Sequence, residues 1–129
     1  NKLKEKYSNQ NINFLGSRSN QEVLKIIKKS KAVVTATKLL EGQPMLLCEA
    51  SSLGVPSIFP RSGGIAEFFP KDYKLSFEQF NYEDLKTKIK MIENPKILVV
   101  EGKKSKEYIK NYLDKEKLLK KFTEVLNEI

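Results

Sequence analysis

The chain has 129 residues and a net charge of +8, from 24 basic and 16 acidic residues. This length suits one domain with a hydrophobic core. With no histidine and one cysteine, metal sites built on imidazole or thiolate, and Ser-His or Cys-His nucleophiles, are excluded within the chain. No apolar run reaches the roughly 20 residues that cross a bilayer and no export signal is visible, so we expect a cytoplasmic protein.

Apolar patterning predicts short strands that alternate with helices. The predicted strands are 11–15, 32–36, 55–59 and 73–77, and the predicted helices are 21–30, 44–53, 81–93, 100–112 and 114–128, with a helical turn at 65–69. Such alternation is typical of α/β proteins, so we predict a Rossmann-like parallel sheet with flanking helices. The loops 37–46 and 60–65 follow strands directly. We expect them to lie side by side at the carboxyl edge of the sheet, where such folds bind ligands.

Two isolated carboxylates mark the segment between Lys38 and Arg61, where Glu41 and Glu49 are the only charged residues. Burying a carboxylate without a partner costs several kcal/mol, so each needs a partner from elsewhere in the fold or hydroxyl groups on a ligand. Glu49 lies on an apolar stripe of the predicted helix. If it binds no ligand, we expect it to accept hydrogen bonds from a neighbouring loop, and we expect a Glu41 that binds no ligand to be a solvated acid in its loop.

The start of the predicted helix 44–53 lies between these two acids. Pro44 suits its first turn, and the free N–H groups of Met45, Leu46 and Leu47 together with the helix dipole form an anion site. Carboxylates that bind hydroxyls beside an anion-binding helix end indicate a nucleotide-sugar site. Cys48 is expected to be a small buried hydrophobe.

A wider motif surrounds this segment and covers roughly residues 11–69. It consists of Phe14-Leu15-Gly16, Glu41-Gly42-Gln43-Pro44 continuing to Glu49-Ala50, Gly54-Val55-Pro56, and Gly63-Gly64-Ile65-Ala66-Glu67. In order and spacing it resembles the C-terminal domain of retaining GT-B glycosyltransferases of family 4, the glycosyl transferases group 1. The usual Pro-Ser before the motif is replaced here by Thr37-Lys38, and the usual phenylalanine by Gln43.

The resemblance implies roles for individual residues. Glu49 would hold the ribose hydroxyls, and Glu41, the catalytic candidate, would face hydroxyls of the donor sugar. Backbone groups around the helix start, at Gly42, Gln43, Met45 and Leu46, would approach the sugar and the pyrophosphate. The loop after Leu15, which consists of Gly16, Ser17 and Arg18, would bind the base. Arg18 would otherwise be a surface arginine. Gly63 and Gly64 would bring backbone close to the donor or serve a turn with positive φ, and Glu67 would be mainly structural.

The implied reaction is sugar transfer, with retention at the anomeric carbon, from a nucleoside-diphosphate donor to a glycan or lipid acceptor. The expected donor is UDP-linked, with no metal and no cofactor, and the helix dipole and basic side chains would stabilise the leaving diphosphate. The alternative is a non-catalytic doubly wound α/β module that binds a nucleotide or a protein.

By the same resemblance, residues 1–129 form one partial domain that lacks its first two strands and the N-terminal acceptor domain. Residues 1–10 would be the tail of a helix leading into the strand 11–15, and 114–129 the C-terminal helix. Without the basic residues of the missing strands, we expect the isolated chain to transfer no sugar. Its sheet would have a gap, pair abnormally, or be completed by another chain.

Positive charge concentrates near the C-terminus, where twelve basic and seven acidic residues in 86–129 supply +5 of the net +8. The lysines interleave at helical spacings with Glu101, Glu107, Asp114, Glu116 and Glu124, as expected for solvated helix faces. Contact with anionic lipid head groups, at the inner face of a membrane, or with a polyanionic partner is the alternative. Nucleic acid is not expected, because no aromatic residues interleave with the basic ones in a binding pattern.

Overall fold

The computed structural model describes residues 2–7 and 11–128. Helices and short strands alternate along them in the order α1 Lys2–Tyr7, α2 Asn20–Lys29, β1 Val33–Val34, α3 Met45–Ser52, β2 Ser57–Arg61, a 3-10 turn Ile65–Phe68, β3 Ser76–Glu78, α4 Tyr82–Met91, α5 Pro95–Tyr112 and α6 Lys115–Asn127. No helix among these described residues is long and apolar enough to cross a membrane.

The three strands form one parallel sheet in the order β1-β2-β3. Val33 lies opposite Ser57 in the first pair, and Phe59 lies opposite Ser76 in the second. Parallel neighbours need crossover connections, which α3 supplies between β1 and β2. The predicted α/β fold with a parallel sheet and flanking helices is confirmed.

The predicted strand 11–15 is wrong. Only Ile12 carries a β-bridge, and residues 11–20 are all exposed. A β-prone run becomes a strand only where an extended pairing and a covering layer are present, and in the described residues this segment has a single bridge and no covering layer. Just upstream, α1 confirms helix within 1–10, while residues 1 and 8–10 lie outside the described part of the chain.

Helix starts follow local capping. Ser19 caps α2, and Asp114 caps α6 by accepting the Lys117 N–H at 3.0 Å. The helix predicted at 100–112 begins instead at Pro95, because Asn94 accepts the Lys96 N–H at 3.0 Å and proline is well accommodated in a first turn. The Asn-Pro pair therefore starts α5, whereas α4 already ends at Met91.

Aromatic side chains fill the core beneath β2. The rings of Phe59 and Phe69 lie 4.2 Å apart between centroids, and Tyr73 lies 5.6 Å and 4.8 Å from them. The Tyr73 hydroxyl donates to the carbonyl of Ser57 at 2.9 Å and accepts its N–H at 2.8 Å, which satisfies the buried phenol. Burial raises the pKa of Tyr73 well above its ordinary value.

A buried carboxylate ties helix α5 to the segment that precedes β3. Glu101 is 1% exposed, accepts the Lys74 N–H at 2.9 Å and lies 3.6 Å from the Lys104 ammonium, which also pairs with Asp72. The expectation of a solvated Glu101 is wrong, because helical spacing does not show which face of α5 packs inward. Next to it, Gly102 lies so close to the Gly54 carbonyl that an added Cβ would overlap it, with the Gly54 carbonyl carbon 3.2 Å away.

Replacing Gly102 by alanine should therefore destabilise the protein, although alanine normally favours a helix by about 1 kcal/mol over glycine. The overlap with fixed backbone should cost about 1–3 kcal/mol of unfolding free energy, measured by urea denaturation. Lys103→Ala, at the exposed neighbouring position of the same helix, is the control and should change little. An unchanged or raised stability of Gly102→Ala would contradict the close crossing.

Candidate functional site at the carboxyl edge of the sheet

Two loops meet where β1 and β2 end. The N–H of Gly64 donates to the carbonyl of Glu41 at 2.9 Å, and the Ser62 hydroxyl donates to the carbonyl of Leu39 at 3.3 Å. The parallel pairing of β1 with β2 places both loops at the carboxyl edge of the sheet. The expectation that the segments 37–46 and 60–65 lie side by side is confirmed.

Glycine makes this contact possible. Gly63 has φ +53°, and a Cβ there would lie 2.5 Å from the Glu41 carbonyl oxygen and 3.0 Å from its nitrogen. At Gly64 a Cβ would lie 3.1 Å from the Gly42 carbonyl oxygen. A turn with positive φ was one of the two roles expected for this pair, and Gly63 has it. Both glycines allow the backbone of residues 41 and 42 to come close.

Helix α3 begins without a side-chain cap, because Pro44 occupies the cap position. The Pro44 carbonyl accepts the N–H groups of Leu47 and Cys48, each at 3.0 Å. The expectation of a free Leu47 amide is therefore wrong, since a tightened first turn satisfies it. No described residue accepts a hydrogen bond from the N–H of Met45 or Leu46, and both residues are exposed. These two amides keep the capacity to bind an anion.

Glu49 lies on α3, is partly buried and forms a hydrogen bond with an uncharged side chain. Its Oε1 accepts a hydrogen bond from Nδ2 of Asn20 at 2.8 Å. The adjacent Cys48 is buried, as expected, and burial together with the Glu49 charge raises the pKa of its thiol. Glu49 thus remains a hydrogen-bonded carboxylate rather than half of an ion pair.

Glu41 differs from Glu49 in its partners. Its backbone is pinned by Gly64, but no hydrogen bond or ion pair from any residue that the structure describes reaches its partly buried carboxylate. The neighbouring Gly42 and Gln43 are exposed. This side chain is therefore held near the two loops with its full accepting capacity unused.

The loop Gly16–Arg18 leads into α2. All three of its residues are exposed, Gly16 has φ +68°, and the segment ends at the Ser19 cap, one residue before Asn20. The Asn20–Glu49 hydrogen bond therefore joins this loop to α3. Arg18 forms no ion pair or hydrogen bond within the described part of the chain.

Two residues at this edge were missed from the sequence. The hydrogen-bond partner of Asn20 is 29 positions away along the chain. Arg61, the last residue of β2, donates through Nη1 to the Ser76 carbonyl at 3.2 Å and lies 4.0 Å from Asp84. No local sequence pattern around Asn20 indicates its contact with Glu49. Arg61 could have been recognised as a basic residue directly after a buried β-prone run.

The family model described as Glycosyl transferases group 1 matches residues 1–115. The chain belongs to this family of glycosyltransferases. The match spans every residue of the candidate site and extends to the first residue of α6, so the resemblance inferred from the motif is confirmed. Searches of curated proteins and of solved structures gave no significant match. Among the described residues, no group of acidic and cysteine side chains in this glycosyltransferase domain is arranged to hold a metal ion.

Because of the contact between the two loops, we expect two glycine substitutions to lower the free energy of unfolding by different amounts. Gly16 and Gly63 both have positive φ, but nothing lies within 4 Å of a Cβ at Gly16. Gly16→Ala should cost about 1 kcal/mol from backbone conformation alone. Gly63→Ala should cost at least about 2 kcal/mol, because the Glu41 backbone must also move. Urea denaturation measures both costs, and amide chemical shifts of residues 41–43 should change only in Gly63→Ala. Equal costs, with no such shifts, would refute the contact.

Proposed function

We propose that this chain binds the nucleoside-diphosphate sugar donor of a retaining GT-B glycosyltransferase at the carboxyl edge of its sheet. The observation that carries the proposal is the juxtaposition there of two partly buried carboxylates with the uncapped start of α3. One carboxylate has a neutral donor as its partner, and the other has no partner among the described residues. An arrangement of acceptors beside free amides suits a ligand that combines hydroxyl groups with phosphates.

Glu49 is assigned to the ribose. A carboxylate accepts hydrogen bonds through two oxygens, and the Asn20 amide occupies one position on Oε1. Oε2 and the remaining lone pair of Oε1 can accept the two ribose hydroxyls. The exposed loop Gly16–Arg18, which ends beside Asn20, is then close enough to present its backbone to the base.

The amides of Met45 and Leu46 are assigned to the diphosphate. They add their N–H groups to a helix dipole equivalent to roughly half a positive charge at this end of α3. The exposed backbone of Gly42 and Gln43 lies immediately before this helix start. As the sugar leaves, charge grows on the diphosphate, and fixed donors here lower the barrier because they need no reorganisation.

Glu41 is assigned to hydroxyls of the donor sugar. Its backbone is fixed by the contact with Gly64, so its carboxylate is presented from a rigid position between helix start and loop. We propose a UDP-linked donor, a glycan or lipid acceptor, and no cofactor beyond the donor itself. We propose that the chain alone binds the donor without transferring sugar.

Calorimetric titration of the chain with UDP, GDP and ADP tests the proposal. We expect one of these nucleotides to bind, and Glu49→Gln to weaken that binding by about tenfold, because hydrogen bonds to charged groups contribute roughly 1.5–3 kcal/mol. Glu41→Gln should weaken the matching nucleotide sugar and leave the nucleoside diphosphate nearly unchanged.

Glu93→Gln is the matched control, since it makes the same change of charge at an exposed residue after α4. It should leave the affinity unaltered. A folded chain that binds none of the three nucleotides would overturn the proposal. Transfer of labelled sugar by the chain alone would overturn the proposal that it binds the donor without transferring sugar.

We also propose that α6 contacts an anionic membrane surface on the cytoplasmic side. No side chain of α6 is buried. Its apolar residues recur at helical spacing and remain exposed, at Leu118, Leu119, Phe122, Val125 and Leu126. The same helix carries the lysines Lys115, Lys117, Lys120 and Lys121. An apolar stripe flanked by lysines on a chain of net charge +8 suits an interfacial helix.

Flotation with phosphatidylcholine vesicles, with and without phosphatidylglycerol, measures this contact. Binding should require the anionic lipid, and Phe122→Ser combined with Leu126→Ser should reduce it by roughly threefold or more, because apolar burial contributes most of the affinity. Val99→Ser, at a 70% exposed apolar residue on α5, is the control. If the α6 changes instead lower the oligomeric state and leave flotation intact, the stripe pairs with another copy of the chain.

A further inference from the structure

The side chain of Asn20 bridges two elements that are far apart in sequence. It belongs to the first turn of α2, and its Nδ2 donates to Oε1 of Glu49 on α3 at 2.8 Å, across a separation of 29 residues. Asn20 itself is exposed, whereas Glu49 is partly buried. The hydrogen bond is therefore exposed to solvent, where a ligand can meet it.

The first turn of α2 is fixed before any ligand arrives. The N–H of Ser19 donates to Oε2 of Glu22 at 2.9 Å, and the N–H of Glu22 donates to Oγ of Ser19 at 3.4 Å, which completes a capping box. These bonds lower the pKa of Glu22, so the box is intact at neutral pH. Asn20 follows the cap directly and inherits its fixed backbone.

The two helices are also packed together beneath this bond. Ile27 of α2, Ala50 of α3 and Val55 form a buried cluster. Val23, near the start of α2, packs against this cluster, and close-packed side chains resist relative movement of the two helices. The distance between Asn20 and Glu49 is therefore set by the core rather than by the two side chains alone.

An amide donor suits the task better than a cation would. A lysine or arginine here would neutralise Glu49 and compete with ligand hydroxyls for both oxygens. The asparagine takes one accepting position of Oε1 and leaves Oε2 available. It also restricts the rotamers of Glu49, so less side-chain freedom is lost when a ligand binds.

We propose that Asn20 is a positioning residue that orients Glu49 for the ribose hydroxyls and couples this carboxylate to the loop Gly16–Arg18. The inference rests on the proposed function, since it deepens the role of the same site. It assigns Asn20 no contact with the reacting atoms.

The test compares a ribonucleotide with its 2′-deoxy form. Dissociation constants are measured by calorimetry for the tightest of UDP, GDP and ADP and for the corresponding 2′-deoxynucleoside diphosphate. The chain should prefer the ribonucleotide. Asn20→Ala should weaken the ribonucleotide five- to tenfold and the deoxy form much less, so that the preference collapses. Asn20→Asp should be at least as damaging, because a carboxylate cannot donate and repels Glu49.

A double-mutant cycle separates positioning from general structural support. Asn20→Ala should add little to the loss caused by Glu49→Gln, because both changes remove the same interaction. Gln21→Ala, in the same exposed turn, is the control, and thermal unfolding shows that each variant is folded.

The outcomes are distinguishable. If the unmodified chain binds and Asn20→Ala leaves the preference for the ribonucleotide intact, or weakens both nucleotides equally, the role of Asn20 is overturned while the proposed function stands. If the unmodified chain binds no nucleotide, the proposed function is overturned and the role of Asn20 with it.

Discussion

The close backbone contact between the loop that contains Glu41 and the loop that contains Gly63 is the constraint on which the site depends. It exists because β1 and β2 are parallel neighbours, so the loops after them leave the sheet at the same edge. The Gly64–Glu41 hydrogen bond then fixes the Glu41 backbone. The helix that follows within four residues starts from this anchored point. A side chain at Gly63 would push the Glu41 loop away and displace the start of α3.

A second close crossing holds the other end of the same helix. Gly54 follows α3, and Gly102 of α5 lies directly against its carbonyl. Glu101, one residue earlier, ties α5 to the Lys74 amide that precedes β3. Helix α3, which carries Glu49, is therefore bounded at both ends by backbone contacts that only glycine permits. Such contacts change little with side-chain motion, which suits an element that must hold a carboxylate in position.

The partners of the acidic residues separate structural roles from binding roles. Glu101 is fully buried and has both a backbone donor and a lysine beside it, as a buried charge requires. Glu49 is partly buried and has one neutral donor, which leaves further accepting positions on its carboxylate free. Glu41 has no side-chain partner in the described part of the chain. Of these three acids, the two that the protein satisfies least lie at the sheet edge, where a ligand with hydroxyl groups would complete their hydrogen bonds.

Local features of the sequence specify much of this molecule. The predicted helices 21–30 and 44–53 and the β-prone run that contains Val33 and Val34 each match an element of the structure, because apolar periodicity and backbone preference act over a few residues. The spacing from Glu41 through Glu49 to Gly63 likewise indicated the family. Tertiary structure decided the rest. It left the segment 11–15 without a strand, buried Glu101, satisfied the Leu47 amide and paired Asn20 with Glu49. Each of these outcomes depends on which surfaces meet across the fold, and helical or strand periodicity carries no information about partners that are distant along the chain.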